Sequence, residues 1–263
     1  MTTSDLLALD GRAALVTGAG RGVGRTIALR FAEHGARGVV INDVELERAE
    51  AVAAEVEALG VPALPIKADV SDFVDVTRML AESAAKFGGI DILVNNAGNS
   101  GAGGTSEFDP PFWVQSVDLW GKWIGVNLHG VLNCTRAALP YMVEQQFGRV
   151  VTVISDAGRV GEAGLEVYSA AKAGAAGFMR SVARSVGRFN ITANSVAIAA
   201  TRTPFVESEL QQEAAQAQLK RYIIRRFGEP EDAANMVLFL SSGASSWITG
   251  QTYPVNGGYS VNQ

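Results

Sequence analysis

The sequence is poor in side chains that form disulfides or bind transition metals. It has one cysteine, Cys134, and two histidines, His34 and His129, among 263 residues. A single cysteine rules out a disulfide framework and predicts a reducing compartment. The histidines are isolated and lack the spacing of metal ligands or of a hydrolase triad. We therefore expect no metal site and no triad chemistry.

Long hydrophobic runs and excess positive charge are missing as well. The sequence contains no run of about 18 apolar residues that would suggest a membrane span, and residues 1–12 lack the features of a signal peptide. The formal net charge of −5 gives no reason to expect a nucleic-acid surface. We therefore expect a cytoplasmic protein that binds neither membranes nor nucleic acid.

The sequence does contain a regular alternation of apolar, strand-like segments and amphipathic, helix-like segments. Residues 12–18 and 38–43 are typical of buried strands, and residues 24–35 of the helix between them. This alternation predicts an α/β fold with a doubly wound parallel sheet. No linker, repeat or charge run divides the chain, so we expect 1–263 to form one domain. The binding crevice of such a sheet lies at the carboxyl ends of its strands.

A glycine-rich turn, TGAGRGVG at 17–24, leaves the first predicted strand and opens the first helix. Its glycines fit T-G-x-x-x-G-x-G rather than the strict G-x-G-x-x-G pattern. Glycines in such a turn allow a pyrophosphate to approach the backbone at a helix N-terminus, although a plain structural turn is the alternative. The candidate cofactor-binding residues of this turn are Gly18, Arg21, Gly22, Val23 and Gly24.

Asp43 ends the second predicted strand, where an acid can accept hydrogen bonds from the ribose hydroxyls of a dinucleotide. A carboxylate there repels the 2′-phosphate of NADP and favours NAD, whereas Arg21 could pair with that phosphate. We give Asp43 more weight because of its position, with a solvated loop acid as the alternative. Asp69 ends the third strand and could meet the adenine amine or serve as an ordinary turn acid.

The stretch VYSAAKAG at 167–174 places Tyr168 four residues before Lys172, on one face of a predicted helix. A free tyrosine titrates near pH 10, and a nearby ammonium favours the ionised phenol. The pair could therefore be a proton-transfer device, although a chance Tyr-x-x-x-Lys match is the alternative.

Several segments occur together and in order: TGAGRGVG, Asp43, ADV at 68–70, NNAG at 95–98, Asn127, Ser155 and YSAAK. Together they resemble the classical short-chain dehydrogenase/reductase family over essentially the whole chain, through the closing ITGQTYPVNGG. The resemblance implies a Rossmann-type, seven-stranded parallel sheet in a three-layer α/β/α sandwich, assembled into homotetramers or homodimers.

The same resemblance implies a Ser-Tyr-Lys-Asn active site. Tyr168 would be the catalytic acid/base, and Lys172 would lower its pKa and bind the nicotinamide ribose. Ser155 would hydrogen-bond the substrate oxygen, and Asn127 would help to hold a proton-relay water. Further positions that the resemblance assigns to the cofactor are Asp69, Val70, Asn96, Gly98 and Thr203.

The implied function is an NAD-dependent oxidoreductase that interconverts a secondary alcohol and a ketone. The layout is similar to that of 3-oxoacyl carrier-protein reductases, which implies a 3-hydroxyacyl/3-oxoacyl thioester, such as a CoA thioester, as the substrate. A cyclic or steroid-like alcohol is the alternative. A non-catalytic dinucleotide-binding partner subunit is an alternative of another class, because Ile198-Ala199 stands where the family usually shows Pro-Gly.

Residues 99–124 form a segment longer than the compact family version, and this segment contains Trp113, Trp120 and Trp123. Their spacing predicts that a helix would place them on one side. They could form an aromatic wall for a large substrate or lie at a subunit interface.

Two further features are specific to this chain. Asp156 follows Ser155 where a second serine is common. Its carboxylate could repel anionic substrates or face solvent, and we favour solvent. Residues 205–228 lie where the family carries a variable substrate lid. The cations of KRYIIRR at 220–226 could receive a CoA or carrier-protein phosphate, or could belong to a solvated helix face.

Overall fold

The structure is a computed structural model that describes residues 5–99, 111–203 and 213–261. Within these residues seven parallel strands form one sheet in the order β3-β2-β1-β4-β5-β6-β7. The predicted seven-stranded parallel sheet is therefore confirmed. The strands are β1 Ala13–Val16, β2 Gly38–Asp43, β3 Ala63–Lys67, β4 Ile92–Asn95, β5 Gly148–Ser155, β6 Ile191–Ile198 and β7 Thr252–Val255.

Helices connect the strands and cover both faces of the sheet. They are α1 Gly22–Glu33, α2 Leu46–Ala58, α3 Phe73–Phe87, α4 Trp120–Ile124, α5 Gly130–Glu144, α6 Ala157–Val160, α7 Glu166–Val186, α8 Glu213–Gln218 and α9 Pro230–Ser241. A π-helical turn, Gly125–His129, joins α4 to α5. In the part of the chain that the structure describes, no helix is both long and apolar enough to cross a membrane.

Local sequence explains where individual helices begin and end. The Asp72 carboxylate accepts a hydrogen bond from the Val74 backbone N–H at 2.8 Å and caps the start of α3. That helix ends at Gly88, whose φ of 72° is the left-handed conformation that glycine adopts without strain. Pro230 occupies the first position of α9, where its missing N–H has no helical partner to lose.

The core consists of two apolar layers, one on each face of the sheet. Val16 of β1 belongs to the layer with α1, α2 and α9, whereas its neighbour Leu15 belongs to the layer with α3, α5 and α7. Successive strand residues point to opposite faces, so a strand buried on both faces must be apolar throughout. This requirement explains the continuous hydrophobic runs in the sequence.

The sheet order places a binding crevice at one end of β1. The chain moves outward from β1 to β2 and β3, and then returns to pair β4 on the other side of β1. At such a reversal the loops after the two strands diverge and leave a crevice at their carboxyl ends. The glycine turn after β1 and the NNAG segment after β4 meet at this point.

The opposite end of the sheet holds a buried carboxylate, Asp91, directly before β4. It accepts a hydrogen bond from the Ala13 N–H at 2.8 Å and lies 3.5 Å from the Arg12 guanidinium and 3.4 Å from that of Arg37. These contacts tie the starts of β1 and β4 together, far from the crevice.

The tryptophans of the longer segment do not share one helix, so that prediction is wrong. Trp113 lies in a 3₁₀ turn, Phe112–Val114, and is 82% exposed, whereas Trp120 and Trp123 belong to α4. The chain is extended at Gln115 and Ser116, which separates the two helical pieces. The rest of the segment, residues 100–110, lies outside the described residues.

Close packing between β2 and α3 leads to a stability prediction. A Cβ on Gly38 would lie 2.2 Å from a ring carbon of Phe87. We expect Gly38→Ala to lower the free energy of unfolding by about 1–3 kcal/mol, as overpacking does, measured by urea denaturation.

Gly187→Ala is the matched control for this substitution. Gly187 has open space around its Cα and a helical φ of −55°, so we expect it to be neutral or to stabilise by up to about 1 kcal/mol. Equal effects of the two substitutions would contradict the packing argument.

Candidate active site

The glycine turn after β1 lies too close to its neighbours to accommodate side chains. A Cβ on Gly18, whose φ is +60°, would lie 2.8 Å from the Cα of Ala97, and a Cβ on Gly24 would lie 2.4 Å from the Gly18 carbonyl oxygen. Gly22 has a φ of +54° and lies beside the Thr203 methyl group. The three glycines therefore form a backbone cradle at the start of α1, as a dinucleotide pyrophosphate requires.

The other residues predicted in this turn have different surroundings. Val23 is buried and packs in the core layer beneath α1, so its side chain does not face the crevice. Arg21 immediately precedes α1 and is exposed. Thr203 lies beside the cradle, since a Cβ on Gly22 would be 3.2 Å from its methyl carbon, and its assignment to the cofactor stays a prediction.

The NNAG segment is fastened to the glycine turn by hydrogen bonds in both directions. The Thr17 hydroxyl accepts from the backbone N–H groups of Asn96 and Ala97, each at 3.0 Å. In return the Asn96 side-chain amide donates to the carbonyl oxygens of Thr17 at 2.9 Å and Gly18 at 3.0 Å. The sequence indicated Asn96 but missed Thr17, whose only signal was the threonine that opens the glycine pattern.

Asp43 is buried at the end of β2 and faces the glycine turn. Its carboxylate accepts hydrogen bonds from the backbone N–H groups of Gly20 and Glu45, each at 3.1 Å, and lies 3.9 Å from the Arg48 guanidinium. A Cβ on Gly20 would lie 2.6 Å from this carboxylate. Gly20, which the pattern treats as a variable position, is therefore required by the close approach of Asp43.

The end of β3 combines structural and exposed groups. The Asp69 carboxylate is exposed and accepts from the Ser71 N–H at 2.8 Å and the Ser71 hydroxyl at 2.7 Å, which is the bonding of a turn acid. Val70 is buried, and a Cβ on Gly130 would lie 2.6 Å from its methyl carbon. The Val70 side chain therefore packs against α5, and only its backbone could face a ligand.

Ser155, Tyr168 and Lys172 come together from two elements. Ser155 ends β5, and its hydroxyl accepts from the Ala157 N–H at 3.2 Å. Tyr168 and Lys172 lie one turn apart on α7, with the Lys172 ammonium 5.8 Å from the centre of the Tyr168 ring. The ammonium donates to the Val153 carbonyl oxygen at 3.1 Å, so α7 is anchored to β5 beside Ser155.

Burial dominates the proton equilibria of this cluster. It raises the pKa of Tyr168, a side-chain hydrogen bond with Ser155 opposes that rise, and the charge of Glu162 adds to it. Burial lowers the pKa of Lys172 to about 8. The sequence predicted that the lysine would lower the pKa of Tyr168. In the protein alone the pKa of Tyr168 is raised overall, because desolvation of the phenolate outweighs the hydrogen bond with Ser155. The effect of the lysine on this pKa stays a prediction.

Asn127 lies in the π-helical turn between α4 and α5 and is fully buried. Its side-chain amide donates to the carbonyl oxygens of Asn99 at 2.8 Å and Trp123 at 3.0 Å, and its oxygen accepts from the Asn99 N–H at 3.3 Å. A Cβ on Gly98 would lie 2.9 Å from the Asn127 oxygen and 3.1 Å from the Lys172 ammonium. The π turn thus brings Asn127, Gly98 and Lys172 together, and Asn99 is a partner that the sequence did not indicate.

Asp156 does not face solvent, so that prediction is wrong. It is 1% exposed, and its carboxylate accepts from the Arg159 guanidinium at 2.5 Å, the Asn256 amide at 2.6 Å and the Ser260 hydroxyl at 2.9 Å. The physical reason is that the C-terminal residues fold back over the turn after β5 and bring donors that local sequence does not show.

Some of the cations of 220–226 have partners within the chain. The Arg226 guanidinium makes a two-pronged ion pair with Asp232, at 2.6 and 2.9 Å, and Arg221 lies over the Tyr259 ring at 4.5 Å. Two of the four cations are thus occupied within the chain. Of the predicted lid, residues 205–212 lie outside the described residues.

The chain is similar to known enzymes over almost its whole length. A family model described as enoyl-(acyl carrier protein) reductase matches residues 18–260. The 3-oxoacyl-[acyl-carrier-protein] reductase FabG of Staphylococcus aureus is 40% identical over 250 residues, which cover 94% of this chain and 97% of that protein. The (2S)-[(R)-hydroxy(phenyl)methyl]succinyl-CoA dehydrogenase subunit BbsD of Thauera aromatica is 41% identical over 255 residues, or 97% and 99% of the two chains.

A solved structure has the same fold. It is a 7α-hydroxysteroid dehydrogenase in complex with NADH and 7-oxoglycochenodeoxycholic acid, and it superposes with a TM-score of 0.91. The two sequences are 33% identical, and the alignment covers 100% of each chain. The likeness therefore extends over the crevice as well as the sheet.

The buried lysine leads to a prediction about stability and pH. Because the pKa of Lys172 is lower in the folded protein than in the unfolded chain, its charge destabilises the fold below about pH 8. Between about pH 8 and the ordinary lysine value of about 10.4 the unfolded chain binds the extra proton, so this destabilisation fades as pH rises. We compare the free energy of unfolding of Lys172→Met with that of the unmodified protein. As pH rises through this window, we expect the variant to lose about 3 kcal/mol relative to the unmodified protein.

Urea denaturation at a series of pH values measures this difference. The same comparison in a Tyr168→Phe background removes the neighbouring phenol, whose pKa is raised, so that the remaining pH dependence belongs to the lysine. A stability difference that stays constant across the window would contradict the lowered pKa of Lys172.

Proposed function

The chain belongs to the short-chain dehydrogenase/reductase family, and on that basis we propose that it is an NAD-dependent oxidoreductase that interconverts a secondary alcohol and a ketone. The observation that carries the proposal is the meeting of Ser155, Tyr168 and Lys172 beside a backbone cradle that has no room for side chains. A proton-transfer group and a dinucleotide-sized crevice thus share one end of the sheet.

Tyr168 is the proposed acid/base. In ketone reduction its phenol would donate a proton to the substrate oxygen, and in alcohol oxidation its phenolate would remove that proton. Burial raises the pKa of this phenol, so in the protein alone its protonated form, the proton donor of the reductive direction, is favoured over the phenolate. The Lys172 ammonium and the Ser155 hydroxyl are the neighbouring groups able to stabilise the phenolate in the oxidative direction.

Ser155 is the proposed substrate-orienting group. Because its oxygen accepts a hydrogen bond from the Ala157 N–H, the hydroxyl proton is directed away from the backbone. It can then be donated to the phenol or to a substrate oxygen held between the two side chains. A carbonyl carbon placed there would lie at the carboxyl end of the sheet, beside the cradle.

Asn127 and Lys172 are proposed to support proton movement rather than to start it. The hydrogen bonds of Asn127 hold the Gly98–Asn99 segment against the lysine and fix the π turn. Turns of this kind are frequent at functional sites. The predicted relay water near Lys172 stays part of this proposal.

The residues of the crevice fit a nicotinamide dinucleotide. Gly18, Gly22 and Gly24 would hold the pyrophosphate, and Asp43 would accept from the adenosine ribose. A bound nicotinamide would supply or accept the hydride. The buried Asp43 carboxylate favours NAD over NADP, because a 2′-phosphate would meet a like charge.

The favoured substrate class is a 3-hydroxyacyl or 3-oxoacyl thioester. The names of the Staphylococcus aureus and Thauera aromatica relatives both describe acyl thioesters, the first with a 3-oxo group and the second with a secondary alcohol beside a phenyl ring. A cyclic or steroid-like alcohol is the second candidate, favoured by the hydroxysteroid dehydrogenase of the same fold. A cytoplasmic location and homotetrameric or homodimeric assembly stay predictions.

The central prediction concerns Tyr168→Phe. We expect the unmodified protein to oxidise NADH with acetoacetyl-CoA, and the variant to lose about 100- to 10,000-fold in kcat, because it lacks the proton donor. Loss of NADH absorbance measures turnover, and NADH fluorescence shows that the variant still binds the cofactor.

Two outcomes would change this interpretation. Turnover of bulky cyclic ketones but not of acetoacetyl-CoA would favour the second substrate class. NADH binding with no turnover of any carbonyl would favour the non-catalytic partner subunit.

Cofactor preference supplies a separate prediction. We expect Asp43→Asn to raise the ratio of kcat/KM for NADPH to that for NADH at least about tenfold, because it removes a like-charge contact. Asp69→Asn is the matched control, since Asp69 follows the neighbouring strand and its carboxylate accepts hydrogen bonds from the Ser71 N–H and hydroxyl. An unchanged ratio in Asp43→Asn would contradict the assignment of Asp43 to the ribose.

A further inference from the structure

The residue after Ser155 is a buried carboxylate that the proposed reaction does not use. Both oxygens of Asp156 accept hydrogen bonds, one from Arg159 and the other from Asn256 and Ser260. Arg159 also donates to the Ser260 hydroxyl, at 2.7 Å. Burying a carboxylate is costly unless it is paired and hydrogen-bonded, and bonds to a charged group are the stronger kind. The turn after β5 is therefore firmly attached to the C-terminal segment, residues 256–260.

The C-terminal segment in turn packs against residues 221–224. The Ile224 N–H donates to the Gly257 carbonyl oxygen at 2.8 Å, and a Cβ on Gly258 would lie 2.7 Å from the Ile223 side chain. The Tyr259 ring lies 5.2 Å from that of Tyr222. Hydrogen bonds, close backbone packing and aromatic contacts thus join the two segments.

Residues 221–224 connect back to the strand beside Ser155. The Tyr222 hydroxyl accepts from the Ala200 N–H at 3.2 Å, directly after β6. The Asp156 N–H donates to the Ile198 carbonyl oxygen at 2.9 Å, which returns to the starting point. The contacts form a closed ring. Ala199, Tyr222, Asn256 and Gly257, which belong to this ring, also line a cavity of about 320 Å³.

We propose that Asp156 is a positioning residue which, through the C-terminal segment, holds residues 221–224 in place beside the turn that follows β6. This inference rests on the proposed oxidoreductase function. The Asp156 carboxylate touches none of the proposed reacting groups, and its effect passes through Asn256 and Ser260. Residues 221–224 belong to the region that the sequence assigns to the substrate lid, so loosening them should weaken substrate binding more than cofactor binding.

The test compares three variants. Asp156→Asn removes the charge, Ser260→Ala removes a donor from the far side of the same contact, and Asp91→Asn is the matched control. Asp91 is also a buried carboxylate that accepts from a backbone N–H and faces arginines, but it lies at the opposite end of the sheet. Hydrogen exchange of the Ile224 amide, followed by mass spectrometry, reports on the ring without any need for turnover.

We expect Asp156→Asn to speed exchange at Ile224 and to raise the KM for the carbonyl substrate, each by about tenfold, as loss of a charged hydrogen bond does. NADH affinity should stay within about twofold, because the cradle lies outside the ring. Ser260→Ala should act in the same direction with a smaller effect. Asp91→Asn should lower global stability. The exchange rate at Ile224, corrected for that loss of stability, should stay unchanged, and so should the KM.

The outcomes separate this inference from the proposed function. Unchanged exchange at Ile224 in Asp156→Asn would overturn the proposed connection between Asp156 and residues 221–224. Faster exchange with an unchanged KM would show that Asp156 is only a structural residue and would overturn its positioning role. If Asp156→Asn does not fold, Ser260→Ala decides by the same criteria. If the unmodified protein binds NADH but reduces no carbonyl, the proposed function fails, whereas the exchange result still decides whether the ring exists.

Discussion

The candidate site depends on how closely the chain leaving β1 approaches the chain leaving β4. Thr17 and Asn96 hold the two exits together by hydrogen bonds in both directions, and Gly18 leaves no room for a side chain between them. This contact fixes the glycine cradle on one side. On the other side it fixes the path to Gly98, which lies against both Asn127 and Lys172. The same backbone contact therefore fixes the glycine turn and the neighbours of Lys172 relative to each other.

This backbone contact also helps to explain why the pKa values of Tyr168 and Lys172 are shifted. Gly98 allows the Lys172 ammonium to lie in a fully enclosed position, where its described hydrogen bond is to the Val153 carbonyl oxygen. Burial lowers the pKa of this ammonium to about 8 and raises the pKa of the Tyr168 phenol, so it pushes both groups towards their neutral forms. Perturbed pKa values of this kind are frequent at functional sites. The buried charge that lowers the stability of the fold thus lies beside the proposed acid/base.

Sequence periodicity was sufficient for the fold, and ordered motifs named candidate residues of which Ser155, Tyr168 and Lys172 lie together. The tryptophan prediction failed for a local reason, the extended chain at Gln115 and Ser116. The other failures come from contact between distant parts of the chain. Asp156 was expected in solvent because its partners Asn256 and Ser260 lie about a hundred residues away. The rise in the pKa of Tyr168 was not foreseen, because spacing shows a neighbouring charge but not burial by other elements. Gly20 was missed because its constraint is the Asp43 carboxylate from another strand.

The Ile198-Ala199 departure from the family pattern need not disturb the site, because other contacts fix this turn. The Thr201 hydroxyl donates to the Ala199 carbonyl oxygen at 3.0 Å, and the Gly228 N–H donates to the Ala200 carbonyl oxygen at 3.0 Å. Proline would fix the turn through its own φ, whereas here side chains and a second segment hold it from outside. A third contact of this turn, in which the Tyr222 hydroxyl accepts a hydrogen bond from the Ala200 N–H, belongs to the ring that passes through Asp156. The two departures, Asp156 and Ile198-Ala199, are therefore joined in space.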